Sequence, residues 1–345
     1  KLGYNKRVYS NQGGIKISTG TLPESNSIGV KSTKSDGQYT TILLDSTFPF
    51  PHNIDVKPQS YNNPKVQDYT FKSTTFTYVE VFLPYTKSVS GTVNLSGNPL
   101  FSKAEFAKSG NGYVLKLHLK ETGKFYGYTS YFDESGNLVL KFLNPKSVKG
   151  DNLAGVNILL DPGHGGTDGG AVGYDNKGKA IKESETCLEL CLAVKEKLTK
   201  LGANVSMTRS TETTLATSTR SSIIRKSNAH LTVSIHRNAA DNANAHGIKT
   251  FHFNAWQKEP AVEILNALKA NESIKKIHPT YTTSAWVRTD WHWFGYARIS
   301  NMPVVLIEAG FMSNAKDLEA ILRDDFNDAQ AEAIVDGIVK YFNNQ

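Results

Sequence analysis

Three short apolar runs in the second half of this 345-residue chain each end in a residue that binds metals or moves protons. Val156–Leu160 (VNILL) leads into Asp161-Pro162-Gly163-His164-Gly165-Gly166, and Leu231–Ile235 (LTVSI) leads into His236-Arg237-Asn238. Val304–Ile307 (VVLI) leads into Glu308-Ala309-Gly310. Such runs are too short for buried helices and read as strands buried on both faces. Ala203–Thr208 (ANVSMT) and Ile248–Phe253 (IKTFHF) read the same way. Between them, Glu183–Leu201, Thr217–Asn228, Pro260–Asn271 and Phe326–Phe342 carry helical periodicity. This alternation predicts an α/β domain, a mostly parallel sheet with helices on both faces.

The first half has another texture. Thr70–Leu83, Gly112–Lys120, Lys124–Phe132 and Asn137–Leu143 alternate apolar and polar residues or are rich in aromatic and β-branched ones. Glu134-Ser135-Gly136-Asn137 is a hairpin turn signal between the last two. An all-β sandwich or open barrel is the expected result, with residues 1–35 partly irregular. The texture changes after Asn144-Pro145, where Ser147–Leu153 is a polar linker, so the chain divides into a β-rich module at 1–150 and an α/β domain at 151–345. Charge follows that division. Residues 1–150 hold 18 Lys and Arg against 10 Asp and Glu, and residues 151–345 hold 21 against 22. A basic module suits an anionic partner, and equally a lysine-rich soluble surface.

Composition removes several classes. Two cysteines rule out a disulfide scaffold, a Cys-based zinc finger and an iron–sulfur protein. Cys187 and Cys191 lie four apart in an apolar helical stripe, where a disulfide would be strained, so both read as buried packing thiols. This usage permits export. No run approaches the roughly 18 apolar residues of a membrane-spanning helix.

In open α/β sheets the ligand crevice lies beyond the carboxyl ends of the strands, which places His164, His236 and Glu308 to converge. Glu183 begins the helical stripe Leu188, Leu190, Cys191, Val194 and Leu198, at the first turn of a helix leaving the same edge. Two His and one carboxylate with an open fourth position form a known catalytic zinc set. Glu308 then remains as general base and acid. Each residue also has a plain reading: a hydrogen-bonded strand-end histidine, or a glutamate that favours the helix dipole.

With these residues in hand, the segment from Leu159 to Phe342 resembles the catalytic domain of zinc-dependent N-acetylmuramoyl-L-alanine amidases. The matching stretches are LLDPGHGGTDGGAVG (159–173), KESETCLEL (182–190), GANVSMTR (202–209), VSIHRNAA (233–240), GIKTFHF (247–253) and VVLIEAGFMSN (304–314). The resemblance implies a sheet of about six strands flanked by helices. It implies Zn²⁺ held by His164, Glu183 and His236, with Glu308 as the catalytic carboxylate; Glu185 is the rival third ligand. The implied reaction is cleavage of peptidoglycan between the lactyl group of N-acetylmuramic acid and L-Ala. Arg237 and Asn238 are candidate substrate contacts; Arg237 suits a stem-peptide carboxylate, and equally a solvated rim. His230 stands where the family often has Asp. Trp286–Phe294 either lines the crevice or caps the core, and His52, His118, His246, His252, His278 and His292 read as structural or surface. The implied setting is the cell wall or periplasm of an exported protein, with peptidoglycan rather than nucleic acid as partner. The basic module is expected to bind anionic wall polymers or glycan. The alternatives are a zinc peptidase acting within the stem peptide and a non-catalytic wall-binding protein with a degenerate enzyme domain.

Overall fold

Alternating burial along the first half produces strands that each offer one apolar face. The computed structural model describes residues 6–11, 14–19, 26–58, 75–283, 285–288 and 295–345. These divide into two compact units, with the break between Pro145 and Lys146. Among the described residues the first unit contains strands and no helix. β1 (Lys6–Asn11) and β2 (Gly14–Thr19) form an antiparallel pair. β3 (Asn26–Ser35), β4 (Tyr39–Ser46), β7 (Thr86–Ser90), β10 (Tyr128–Phe132) and β11 (Leu138–Leu143) make a sheet in the order β10-β11-β4-β3-β7. β5 (Asn53–Lys57), β6 (Tyr78–Pro84), β8 (Phe101–Ser109) and β9 (Gly112–Leu119) make a second, ordered β5-β6-β9-β8. Phe101 of β8 meets Phe142 of β11 edge-on at 5.0 Å, joining the two sheets through buried aromatic rings. The expected turn at 134–137 joins β10 to β11, closed by the Asp133 carboxylate accepting from the Ser135 and Asn137 amides. β3 shows that part of residues 1–35 is regular. Of the expected strand at 70–83, residues 70–74 lie outside the described residues and the strand begins at Tyr78.

The second unit is built on a six-stranded sheet. Its strands are β12 (Asn157–Pro162), β15 (Asn204–Met207), β16 (Leu231–Asn238), β17 (Ile248–His252), β18 (Trp286–Arg288) and β19 (Val304–Phe311). The order is β15-β12-β16-β19-β17-β18, parallel throughout except that β17 runs antiparallel to β19. A small hairpin, β13 (Val172–Tyr174) and β14 (Ala180–Lys182), precedes α1 (Glu183–Lys200). α2 (Thr217–Lys226), α3 (Lys258–Ala270), α4 (Glu272–Ile277), α5 (Ala315–Ile321) and α6 (Asp324–Asn343) complete the domain. α1, α3 and α6 form one packed layer, and α1 buries Leu190, Val194 and Leu198 completely beneath it. Each such side chain stabilises the fold by roughly 1.5–3 kcal/mol relative to exposure. Cys187 and Cys191 are unpaired and buried in the same stripe.

Period-2 alternation divides the chemistry between the faces. Ile158, Leu160, Val233, Ile235, Val305 and Ile307 face the α1/α3/α6 layer. Asp161, Ser234, His236 and Glu308 fall on the alternate face, where α2 sends Arg220 to Asp161. Both faces are therefore covered. Among the described residues no helix is long and apolar enough to cross a membrane.

Candidate active site

β16 and β19 run on past the residues where their apolar pattern ends. His236 and Glu308 lie inside the strands and stand opposite one another in register. His164 leaves β12 on the glycine-rich loop with φ +54°. A non-glycine residue in this left-handed region costs roughly 1–2 kcal/mol, so the loop has to be held there. Glu183, the first residue of α1, points its buried carboxylate between the two imidazoles. Oε1 lies 3.2 Å from His164 Nε2 and 3.1 Å from His236 Nδ1. The same oxygen accepts from the Arg237 amide at 3.0 Å, and Oε2 accepts from the Ala171 amide at 2.9 Å. Two backbone bonds therefore fix this carboxylate before any ion arrives. Glu185, two residues on, is exposed and outside the cluster.

The donor set suits a cation. His164, Glu183 and His236 place one ligand atom each within 4.8 Å of one another. Tetrahedral ligation at about 2.1 Å would set neighbouring donors about 3.4 Å apart, close to the two spacings observed. Two neutral nitrogens and one carboxylate form a borderline set that zinc accepts readily. Asp168 Oδ1 accepts from His164 Nδ1–H at 2.9 Å, which fixes the tautomer and turns Nε2 toward the cluster. Without a cation, burial opposes charge on His164, yet Glu183 and Asp168 outweigh it and raise its pKa to about 9, so an incoming cation would displace the Nε2 proton. Burial also opposes charge on Glu183, but the hydrogen bonds to His164 and His236 hold it well below the usual carboxylate range.

Two glycines permit these approaches. A Cβ on Gly163 would lie 2.5 Å from the His236 ring, and one on Gly170 would lie 2.6 Å from Glu183 Oε2 and 2.7 Å from His164. Of these two approaches the closer is that of Gly163 to the His236 ring.

Glu308 is 6% exposed, and its Oε2 has no hydrogen-bond partner. Burial pushes its pKa up to about 7, with His236, His164 and Lys249 pulling against that rise. The group borders a cavity of about 300 Å³ shared with His164, Glu183, His236, Asn238 and Leu306. Such a carboxyl can exchange a proton near neutral pH.

Arg237 requires a correction. Because β16 continues through Asn238, alternation turns its side chain away from His236 and under the α6 layer. It is 2% exposed, and Nη1 donates to Ala309 O and to Gln330 Oε1 on α6. It is therefore not a solvated rim residue, although Arg237 is also among the residues that border the cavity. Asn238 does border the cavity, with its Oδ1 accepting from the Ala239 amide at 2.8 Å. His230 is a strand-start tie: Nδ1 accepts from the Asn157 amide, and burial lowers its pKa to about 4. His278 bonds Asp317, His252 bonds Asn254 O, His118 bonds Glu105, His52 bonds Ser130 and His246 bonds Asn244 O, all away from the cluster. His292 lies outside the described residues, as do positions 289–294 of the tryptophan-rich segment.

Asp161, Arg209 and Arg220 also support the site, although no local sequence pattern singles them out for that role. Asp161 is fully buried beneath the loop and accepts from Arg220, Thr208, Ser234 and Tyr296. Arg220 shares the buried face of α2 with Ile224, a pairing at i and i+4 visible in the sequence.

At the strand ends of this α/β sheet, a His-Glu-His cluster that could hold a metal ion stands beside a buried glutamate whose Oε2 has no hydrogen-bond partner, the arrangement of a hydrolase site. The N-acetylmuramoyl-L-alanine amidase family matches residues 158–340, just over half of the sequence, and the chain belongs to that family. A germination-specific N-acetylmuramoyl-L-alanine amidase of Bacillus subtilis is 31% identical over 214 residues, covering 56% of this chain and 82% of that relative. The amidase LytC of the same organism is 32% identical over 194 residues, 55% of this chain and 36% of that one. A solved N-acetylmuramoyl-L-alanine amidase from Clostridium difficile 630 is 29% identical and covers 56% of this chain and 99% of its own, with a TM-score of 0.49.

Proposed function

We propose that the chain hydrolyses the amide between the lactyl carbonyl of N-acetylmuramic acid and the L-Ala amino group of the peptidoglycan stem. The observation that carries this is the convergence of His164, Glu183 and His236 beside the unpartnered Oε2 of Glu308, in a chain of the amidase family. His164 Nε2, His236 Nδ1 and Glu183 Oε1 would hold Zn²⁺. When bound, zinc supplies a Lewis acid for the carbonyl and lowers the pKa of water. Glu308 takes a proton from the attacking water as general base. As the C–N bond breaks, it returns that proton to the departing L-Ala nitrogen, leaving a lactyl carboxyl and a free amine. Asn238, at the cavity edge, is the proposed substrate contact. Incubation with excess chelator is expected to abolish wall hydrolysis, and Zn²⁺ to restore it. Full activity in the chelator would contradict the assignment of the cluster.

The basic excess lies before residue 151 in the sequence, whereas every residue of the candidate site follows it. The first module would therefore act as a tether to anionic wall polymers, with the protein working at the cell wall or in the periplasm. The full chain is expected to co-sediment with purified walls at low salt and to be released at about 1 M salt, where screening shortens to about 3 Å. Retention unaffected by salt would contradict charge-driven tethering.

A further inference from the structure

We propose that Arg209 and Arg220 are positioning residues for the metal site, holding the His164 loop in its left-handed turn by capturing three consecutive carbonyls. The inference rests on the reading of His164 as a ligand. Arg209 donates from Nε to Pro162 O at 3.2 Å and from Nη2 to Gly163 O at 2.7 Å. Arg220 donates from Nη1 to Pro162 O at 2.6 Å and from Nη2 to His164 O. Both side chains are buried.

These bonds oppose the particular cost of the loop. The left-handed backbone at His164 persists only where its surroundings over-determine it. Two guanidinium groups gripping the carbonyls at and immediately before that residue meet the requirement. The same groups reach the other two ligand-bearing elements. Arg209 Nη2 donates to Ser184 O at 2.8 Å, next to Glu183. Arg220 Nη1 donates to Asp161 Oδ1 at 2.8 Å, and Asp161 Oδ2 accepts from Ser234 Oγ at 2.7 Å, two residues before His236. Asp161 and Glu212 supply the counter-charges. The loop, the start of α1 and β16 are thus joined by one buried network.

Arginine is required by geometry. A planar guanidinium presents five donors in fixed directions, whereas an ammonium is a compact point with three. Lysine at position 220 keeps the charge beside Asp161 but cannot span the Pro162 and His164 carbonyls together.

The test uses the full chain with R220K and R209K, measured in three ways. These are zinc affinity by chelator competition, the visible spectrum of the Co²⁺-substituted protein, and kcat and KM at saturating zinc. The expected result for R220K is a 10- to 100-fold loss of zinc affinity, the range typical of groups that orient metal ligands. A shifted Co²⁺ spectrum and a fall in kcat larger than any change in KM are expected with it. R209K is expected to shift in the same direction, and it carries the test if R220K does not fold. Zinc affinity within twofold of wild type, with an unchanged Co²⁺ spectrum, would overturn the proposal even if the thermal midpoint fell. Failure of the wild-type chain to bind zinc would instead overturn the ligand reading itself.

Discussion

Glu308→Gln is expected to lower kcat by about a hundred- to ten-thousand-fold, the usual contribution of a positioned general acid–base group. Bound zinc is expected to remain at one ion per chain. The separation of these effects follows from the structure. Glu308 sits on β19 opposite His236, yet it is not among the three residues whose ligand atoms converge. Its Oε2 faces no protein donor, so replacing that oxygen with an amide disturbs no packing bond. Gln matches the shape and polarity of the side chain but cannot take the proton of an attacking water. Kinetics with zinc stoichiometry check the prediction. A variant retaining more than a tenth of wild-type kcat would remove Glu308 from the proton-transfer role.

The second large effect concerns a residue with no side chain. Gly163→Ala would set a methyl carbon 2.5 Å from both Cε1 and Nδ1 of His236, closer than real Cβ contacts come. Gly163 also donates its amide to Ile235 O at 2.8 Å, which ties the loop to β16 and leaves the histidine ring as the part that must move. Nδ1 is the nitrogen nearest Glu183, so displacing the ring disperses the ligand set. Activity is expected to fall about a hundredfold or more, the scale of a misplacement near 1 Å, and zinc affinity to fall with it. Gly169→Ala is the control, because the atoms nearest its added carbon belong to the flexible Lys182 side chain, the first at 3.3 Å. Equal zinc affinity in wild type and Gly163→Ala would sink the argument from close approach.

Most of the candidate cluster is legible in the sequence because its signals are local. An apolar run stopping at a histidine or glutamate marks a strand end, and the α/β alternation brings such ends to one edge. What stayed hidden depended on partners distant in the chain. The apolar pattern stops at Ile235 and Ile307, but the β16/β19 pairing continues to Asn238 and Phe311. Arg237 could not be placed on the far face without that pairing, since its partner Gln330 is 93 residues away. The Asp161–Arg220 ion pair spans 59 residues, and each half alone resembles an ordinary loop or helix residue. The choice of Glu183 over Glu185 is explained by the amides of Ala171 and Arg237, which receive the first carboxylate and have no counterpart at the second.

Mass spectrometry of a purified peptidoglycan digest identifies the bond that is cut. Stem peptides released with a free L-Ala amino terminus are expected, together with glycan strands whose N-acetylmuramic acid carries an unsubstituted lactyl carboxyl. Both products should vanish on zinc removal. Fragments cleaved within the stem, with L-Ala still attached to muramic acid, would contradict the proposed cleavage.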